Sequence, residues 1–572
     1  AMASACCFGI QSRVSLFSSP RVCKSTNTPR VAPRVCGGGN RVGAALPRSM
    51  TSPNGRRLPR ASSGDSSNNA CAASGAPSLT DSEKQYLRDE AVSWAAQHGL
   101  LVATDGATVG AAMASNFTHA PISLLPTPFP KDVFATAIAV SPRFAELSDL
   151  VSRDHEFLVE QLTGVLETDD FTAALWDVYL QSGGQAGRNE IELGILRSDY
   201  MLDVPSGNPL QVEVNTVSTS FMALSTRVTQ MHRHLVTHSK TLATHYAAEN
   251  ADETGDFFEA ALPSNFALEK AAETLAAGHL AAGHQDAKLL MVCQPNEKNV
   301  FDQRLVAHLL WEKHGVRVTR ATLAEMDAHA ELSTDGDDLM YHNEKHSVVY
   351  FRAGYAPGDY PSDKEWRARL LIEKSTAVKS PSVAMQLAGC KKIQQALAGP
   401  GVLERFVARF ENEQHRGVDT STAMRSTFAG LYALDGEAGG VEAVADAIVE
   451  PQKFVLKPQR EGGGNNLYGD DMVGVLKTFD PSAKPGQKGN LSQYILMQRI
   501  FPPTNKTLCL RAGEMVYLET LSELGVYGGY VRVGDQIIRN EIGGHLLRTK
   551  AATSDEGGVA AGYAVLDSPK LE

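Results

Sequence analysis

The stretch "FVLKPQREGGGNNLYGDD" (454–471) concentrates more reactive chemistry than any other part of the chain. Its start reads as a buried β-strand ending in Lys457; Arg460, Glu461, Gly462–Gly464, Asn466 and Tyr468 follow. A Walker A loop needs Lys-Ser/Thr directly after its last glycine, and here two asparagines stand there; the GxGxxG spacing of a dinucleotide loop fails too. What remains is a point charge at a strand end, a carboxylate, and a glycine loop of free backbone amides. Together these suit a triphosphate with its magnesium: Lys457 on phosphate, loop amides as donors, Glu461 as metal ligand. A glycine-rich surface turn is the alternative, but a turn has no need of Lys, Arg and Glu at its mouth.

Three other segments could contribute. In "QVEVNTVSTSF" (211–221) side chains repeat every two residues, so Glu213 and Asn215 share a face, and Ser218 and Ser220 follow if the strand persists. A carboxylate and an amide oxygen suit a hard cation; a half-exposed polar strand face reads the same way. "SELGVYGGYVRV" (522–533) puts Glu523 just before a glycine-punctuated strand, where it could also be an ordinary turn acid. "HLLRTKA" (545–551) puts Arg548 and Lys550 on one strand face, fit to clamp a carboxylate or to line a solvated edge. His234 and His238 have the i,i+4 spacing of a zinc pair, but neither an HExxH pattern nor a third ligand accompanies them, and a metal role is rejected.

Positioning these groups requires a large folded body. "TDSEKQYLRDEAVSWAAQHG" (80–99) reads as the first helix, with Thr80 and Glu83 at capping-box spacing and Gly99 as its stop. Further helices are expected around 144–166 and 222–248. From about 288 the pattern alternates: "AKLLMVC", a helix over 302–314, "VRVTRAT", then "SVVYFRAGY". This predicts a small α/β domain of about 100 residues with a largely parallel sheet. The segment 435–441 reads as a loop.

Composition sets the outer bounds. The chain has 572 residues, 43% apolar and 21% charged, and no run approaches the roughly 18 apolar residues of a membrane helix. The first 64 residues carry ten Lys/Arg and no acid, and are rich in Ser, Pro and Gly, as organelle transit peptides are. Residues 1–75 are therefore set aside as a leader or disordered tail. Setting those ten cations aside takes the formal net charge from −11 to −21, which argues against nucleic acid as a partner. Cys293, Cys390 and Cys509, the cysteines beyond the leader region, are far apart, which suits a reducing compartment.

Taken in order, "RSDYML", "QVEVNT", "NEKNVFDQR", "YFRAGY", "LAGCKKIQQ", the glycine stretch, "SELGVYGGYVR" and "GHLLRTKA…GGVAAGYAVLD" resemble eukaryotic glutathione synthetases, which are ATP-grasp carboxylate–amine ligases. The resemblance spans roughly residues 80–570. It implies a mixed α/β (α+β) ATP-grasp fold with a body over 76–285, an inserted parallel α/β substrate domain over 286–390, and the ATP-grasp domain proper over 391–572. It implies ATP as co-substrate and two magnesium ions on Glu213, Asn215 and Glu461. Lys391 and Lys457 would hold phosphates, Gly462, Gly463, Gly464, Asn466 and Tyr468 would cover them, and Met497, Gln498 and Ile500 would border adenine. Glu523 and Lys550 would contact the nucleotide. Arg197, Ser218, Ser220, Asn299, Gln303, Arg352 and Tyr355 would bind γ-glutamylcysteine, and Arg548, Val559 and Ala560 the glycine end. Arg197, Lys457 and Arg548 would act nearest the reacting atoms. The chain departs from the family pattern at Gln498, often an acid, and at Met222-Ala223, usually glycine or proline, next to Ser220. Ala560-Ala561 stand where relatives that accept β-alanine carry bulkier residues, so glycine is the expected acceptor. A homodimer, no membrane association and a plastid location complete the expectation, with cytosol or mitochondrion as the alternatives. Same-mechanism ligases using β-alanine or serine, and a non-catalytic binding paralogue, are the competing readings.

Overall fold

A computed structural model describes residues 77–104, 107–108, 116–184, 190–249, 261–436, 438–462, 464–554, 559 and 564–572. The leader (1–75), Gly463 and Ala560 lie outside the described residues. The chain enters the fold as its first residues predict: helix Asp81–His98 starts on a reciprocal Thr80/Glu83 capping box and stops at Gly99, which adopts φ +72°. The helix expected at 144–166 is two, Lys131–Ser152 and His155–Leu166, separated where Asp154 caps the second by accepting from Phe157 N. The first of them begins earlier than expected because it accommodates Pro142, a residue that ordinarily ends a helix. The helix expected at 222–248 also divides, at Ser239, into Met222–His238 and Lys240–Glu249.

The largest sheet has seven strands, drawn from both ends of the chain. Its centre is a hairpin of Glu514–Val533 and Gln536–Ala551, closed by a two-residue turn with Gly534 at φ +58°. Ile191–Leu202 pairs antiparallel with the first arm, and Pro209–Asn215 closes that edge. Beyond the second arm come Ala564–Asp567, Ile122–Ser123 and Asn505–Arg511. Because neighbouring side chains point to opposite faces, the sheet feeds two cores. Val526 and Leu547 pack in one, with Phe144 and Leu147 of Lys131–Ser152; Tyr527 and Leu546 pack in the other, with Leu268 and Leu275 of helix Ala267–Ala281. This two-sided cover makes residues 524–532 buried without a break.

Lys288–Val292, Val318–Ala321 and Glu344–Phe351 form the parallel ladder read from the sequence, with helix Val300–His314 crossing between the first two. Val378–Ser380, which the sequence pattern did not give, adds a fourth parallel strand beside Glu344–Phe351. Two short antiparallel strands, Ala330–Leu332 and Leu339–Tyr341, extend its edge. A third sheet joins Leu431–Ala433, Tyr494–Gln498 and Phe454–Pro458, all antiparallel. Its core is Leu434, Leu456, Met472, Leu476 and Leu496.

Three local expectations change. Ser218 and Ser220 do not share the face of Glu213 and Asn215: an odd number of positions separates them, so the two-residue repeat would put them on the opposite face, and the strand in any case ends at Asn215. Ser218 (φ +53°) and Phe221 (φ +72°) turn the chain into helix Met222–His238. The turn is fixed by Asp302, whose carboxylate accepts from the amides of Phe221, Ala223 and Leu224 (2.9, 2.8 and 3.3 Å). Glu523 lies inside the 20-residue strand, not before it. The loop expected at 435–441 gives way to helix Ala438–Val449.

Candidate active site

A cleft of about 530 Å³ lies between the large sheet and the three-stranded sheet. Lys457, near the end of strand Phe454–Pro458, reaches across it: its Nζ donates to the carbonyl of Val212 on the facing strand (3.0 Å). Burial holds Lys457 below the ordinary lysine range; Glu213 pulls the other way and the Lys391 ammonium adds to the depression.

Lys391, the first residue of helix Lys391–Ala398, stands between the two acids that the sequence nominated as metal ligands. Its Nζ lies 3.0 Å from Glu213 Oε2 and 2.9 Å from Glu461 Oε1. Burial of Lys391 is outweighed by these carboxylates, which raise it above the usual lysine value. The two acids are driven apart. Burial would lift Glu213, but Lys391 and Lys457 overcome it and hold it at about 2. Burial lifts Glu461 to about 7 against the pull of Lys391, with Glu213 repelling it.

The opposite wall is built by sheet register. Arg197 is directly opposite Asn215, and Glu523 opposite Arg548. Arg548 pairs with Glu523 and, at 3.0 Å, with Asp199. Burial raises Glu523 above the usual carboxylate range, although Arg548 opposes it. Lys550, Leu521, Ser554 and Val559 continue this wall. At the other end the cleft is lined by Met497 and Ile500, both buried, with Gln498, Asn466 and Tyr468. The amide of Gly430 donates to Gln498 Oε1 (3.1 Å), and Asn466 Nδ2 donates to the Tyr468 hydroxyl (3.4 Å). Gly462 and Gly464 have φ +83° and +93°, conformations that glycine adopts without strain; Gly462 borders the cleft and Gly464 does not.

The expected peptide-binding residues divide. Arg197, Ser218, Ser220 and Tyr355 line the cleft. Asn299, Gln303 and Arg352 do not; they form a buried layer behind it. Arg352 donates to Asp302 Oδ2 and to the Ser220 hydroxyl, each at 3.0 Å, so it acts on the cleft through Ser220. Gln303 Nε2 donates to Glu297, and its Oε1 accepts from Arg320 (2.5 Å). The sequence assigns no role to Asp199 or Asp302, and places Arg460 at the mouth of the glycine loop without a partner. Asp199 was legible in "RSDYML", since it shares the face of Arg197 two residues away. Asp302 had little local signal: apart from Asn299, three residues away, its partners are 50 or more residues distant. Arg460 lines the cleft and ion-pairs with Asp169. Of the rejected histidines, His234 Nε2 pairs with Glu90 at 2.8 Å and its ring packs on that of His238.

For magnesium the donor set is suitable. Two carboxylates and one amide converge, and Asn215 Nδ2 already donates to Asp199 (2.9 Å), which leaves the amide oxygen for a cation. Among the described residues no cluster of three His, Cys, Asp or Glu side chains suited to a metal occurs. Magnesium needs none, because it takes one or two carboxylates and completes its shell with phosphate and water.

Fold and cleft together define a class: a mixed α/β protein whose cleft draws its lysines, arginines and carboxylates from separate chain segments. The family model for the ATP-binding domain of eukaryotic glutathione synthase matches residues 81–571. The chain is 43% identical over 491 residues to the chloroplastic glutathione synthetase of Arabidopsis thaliana, covering 86% of each chain. To the chloroplastic glutathione synthetase of Solanum lycopersicum it is also 43% identical, over 485 residues, covering 85% of this chain and 84% of the relative. A glutathione synthetase-like effector from Globodera pallida, solved in its apo form, superposes with TM-score 0.65 at 21% identity, covering 86% of this chain and 98% of that one, which shows the shared fold. The chain belongs to the eukaryotic glutathione synthase family and is an ATP-dependent ligase of that family.

Proposed function

We propose that this cleft joins γ-glutamylcysteine to glycine at the expense of ATP, releasing glutathione, ADP and phosphate. The observation that carries the reading is Lys391 bridging Glu213 and Glu461, with Lys457 beside them and Arg197 and Arg548 on the facing wall. A free carboxylate does not react with an amine at neutral pH. The C-terminal carboxylate of γ-glutamylcysteine therefore attacks the γ-phosphorus of ATP, a P–O bond forms, and the bond to ADP breaks. The amine of glycine then adds to the acyl phosphate carbonyl, loses a proton, and inorganic phosphate leaves.

Such transfer rests on positioning and charge neutralisation rather than on a protein nucleophile. Lys391 and Lys457 meet the phosphates, Arg197 and Arg548 hold the carboxylates of the substrates, and the loop at Gly462–Gly464 limits water. Magnesium, held by Glu213, Asn215 and Glu461, would supply further neutralisation of phosphate charge. Met497 and Ile500 give the adenine an apolar bed. Asn299, Gln303 and Arg352 support the γ-glutamylcysteine end from behind.

The ATP-grasp description, with an inserted parallel domain over 286–390 between parts at 76–285 and 391–572, belongs to the same proposal. So do a homodimer and a plastid location. The location draws on the basic leader composition and on the chloroplastic relatives. The test supplies purified protein with ATP, magnesium and γ-glutamylcysteine and follows ADP release with glycine, β-alanine, serine or no amine. ADP release that requires glycine supports the proposal. Preference for β-alanine or serine reassigns the acceptor, and no release with any amine leaves a binding paralogue.

A further inference from the structure

We propose that Asp199 is a positioning residue for the ligation, holding Arg197, Arg548 and Asn215 in one arrangement. The inference rests on the functional reading above. Asp199 is fully buried, yet it is absent from the residues that the cleft's chemistry would nominate, because it acts through its neighbours. Its two oxygens receive Arg197 Nε (2.6 Å) and Nη2 (2.8 Å) as a bidentate pair. Oδ2 also accepts from Arg548 Nη2 (3.0 Å) and Asn215 Nδ2 (2.9 Å).

Four strands converge to make this possible. Asp199 is opposite Glu213 on one side and Gly525 on the other, while Arg548 stands one strand further on, opposite Glu523. At Gly525 a Cβ would lie 2.8 Å from both Arg197 Cδ and Asp199 Oδ1, so the strand opposite has no room for a side chain beside this ion pair. The two guanidinium groups repel, and Arg548 has a second carboxylate, Glu523, to turn to. A single buried anion between them resolves the repulsion and fixes the direction of both. The fork of an arginine is planar, so a bidentate partner sets its orientation as well as its position. Arg197 is raised above its usual range because, against the effect of burial, Asp199 favours its charged form. The same anion accepts from Asn215 Nδ2, which also donates to the Arg197 carbonyl (3.3 Å), and the amide oxygen is thereby presented as a ligand. Asp199 therefore couples the cation end of the site to the carboxylate end.

The experiment compares wild type with Asp199→Asn, Asp199→Glu and the pair Asp199→Asn/Arg197→Gln. It measures kcat, the KM of each substrate, and melting temperature. Asparagine copies the shape without the charge, so kcat/KM for γ-glutamylcysteine falls about 100-fold while the KM for ATP moves less than about threefold. Asp199→Glu recovers at least about tenfold of that loss, and the double variant is no worse than the weaker single. A residue that only fills space gives the reverse: asparagine is tolerated better than the longer glutamate, and all parameters fall with melting temperature. That pattern, or additive losses in the pair, overturns the proposal. Should Asp199→Asn fail to fold, recovery of folding without activity in the double variant supports it, and failure of both overturns it. Wild-type ADP release that does not need γ-glutamylcysteine and glycine would defeat the functional reading instead, independently of any variant.

Discussion

Replacing Lys391 with methionine removes the cation that touches both Glu213 and Glu461. The Lys391 side chain is 4% exposed and each carboxylate 20%, so water does little to take its place. Breaking a buried ion pair on one side costs about 3–5 kcal/mol, because the abandoned charge stays buried. Here one of the acids can relieve itself. Glu461 is already held up at about 7 by burial, and without Lys391 its value rises further. A carboxyl raised in the fold stabilises fully below its unfolded value and loses that contribution as pH rises through the folded value. In wild type the loss runs through about pH 7; in the variant it runs through a higher value. Over pH 6 to 8 wild type releases this proton while the variant keeps it, so the variant's stability penalty grows with pH, by up to about 1.4 kcal/mol. The assay is denaturant unfolding of both proteins at pH 6 and pH 8, with ADP release measured in parallel. Activity falls by about 10²–10³, the loss typical of removing a preorganised charge donor. A penalty equal at both pH values, or smaller at pH 8, would refute the assignment of Glu461 as the acid held up by burial.

Three more outcomes follow from the same geometry. Lys457→Met abolishes ADP release but leaves melting temperature nearly unchanged, because burial already disfavours this ammonium; turnover at the wild-type rate would remove Lys457 from the phosphate site. Gly525→Ala pushes a methyl group against Arg197 and Asp199 and lowers kcat/KM for γ-glutamylcysteine by about tenfold or more, whereas Gly534→Ala, at the open hairpin turn at the far end of the same strand, affects stability and not KM. Thr80→Ala removes the reciprocal cap of the first helix and costs about 1 kcal/mol, read by denaturant unfolding with kcat unchanged.

Much of the chemistry was legible because it is local. Lys457, Glu461 and the glycines fall within eight residues, and Glu213 and Asn215 are separated by the two-residue repeat of a strand. The capping box of Thr80 and the strand–helix alternation from 288 are likewise patterns of spacing, and both survive in the fold. Where reading failed, a distant partner overrode the local pattern. Asp302 caps a helix 80 residues earlier in the chain, and the turn it fixes places Ser218 and Ser220 where no strand repeat would put them. Glu523 looked like a turn acid because glycines follow it, but cover on both sides of the sheet carries the strand through them.

By itself, then, the sequence determined which groups the site contains: its lysines, carboxylates, amide and glycine loop, and the family they resemble. Only the tertiary structure decided which charges face one another. Lys391 is 178 residues from Glu213 and 70 from Glu461, yet it sits at contact distance from both. The register of four strands put Asp199 between two arginines, one of them 349 residues away. Charge interactions depend on distance and burial, and neither is a property of chain separation. That is why the inventory of the site was readable while its electrostatics, and the division of its acids into one held near 2 and one near 7, waited for the fold.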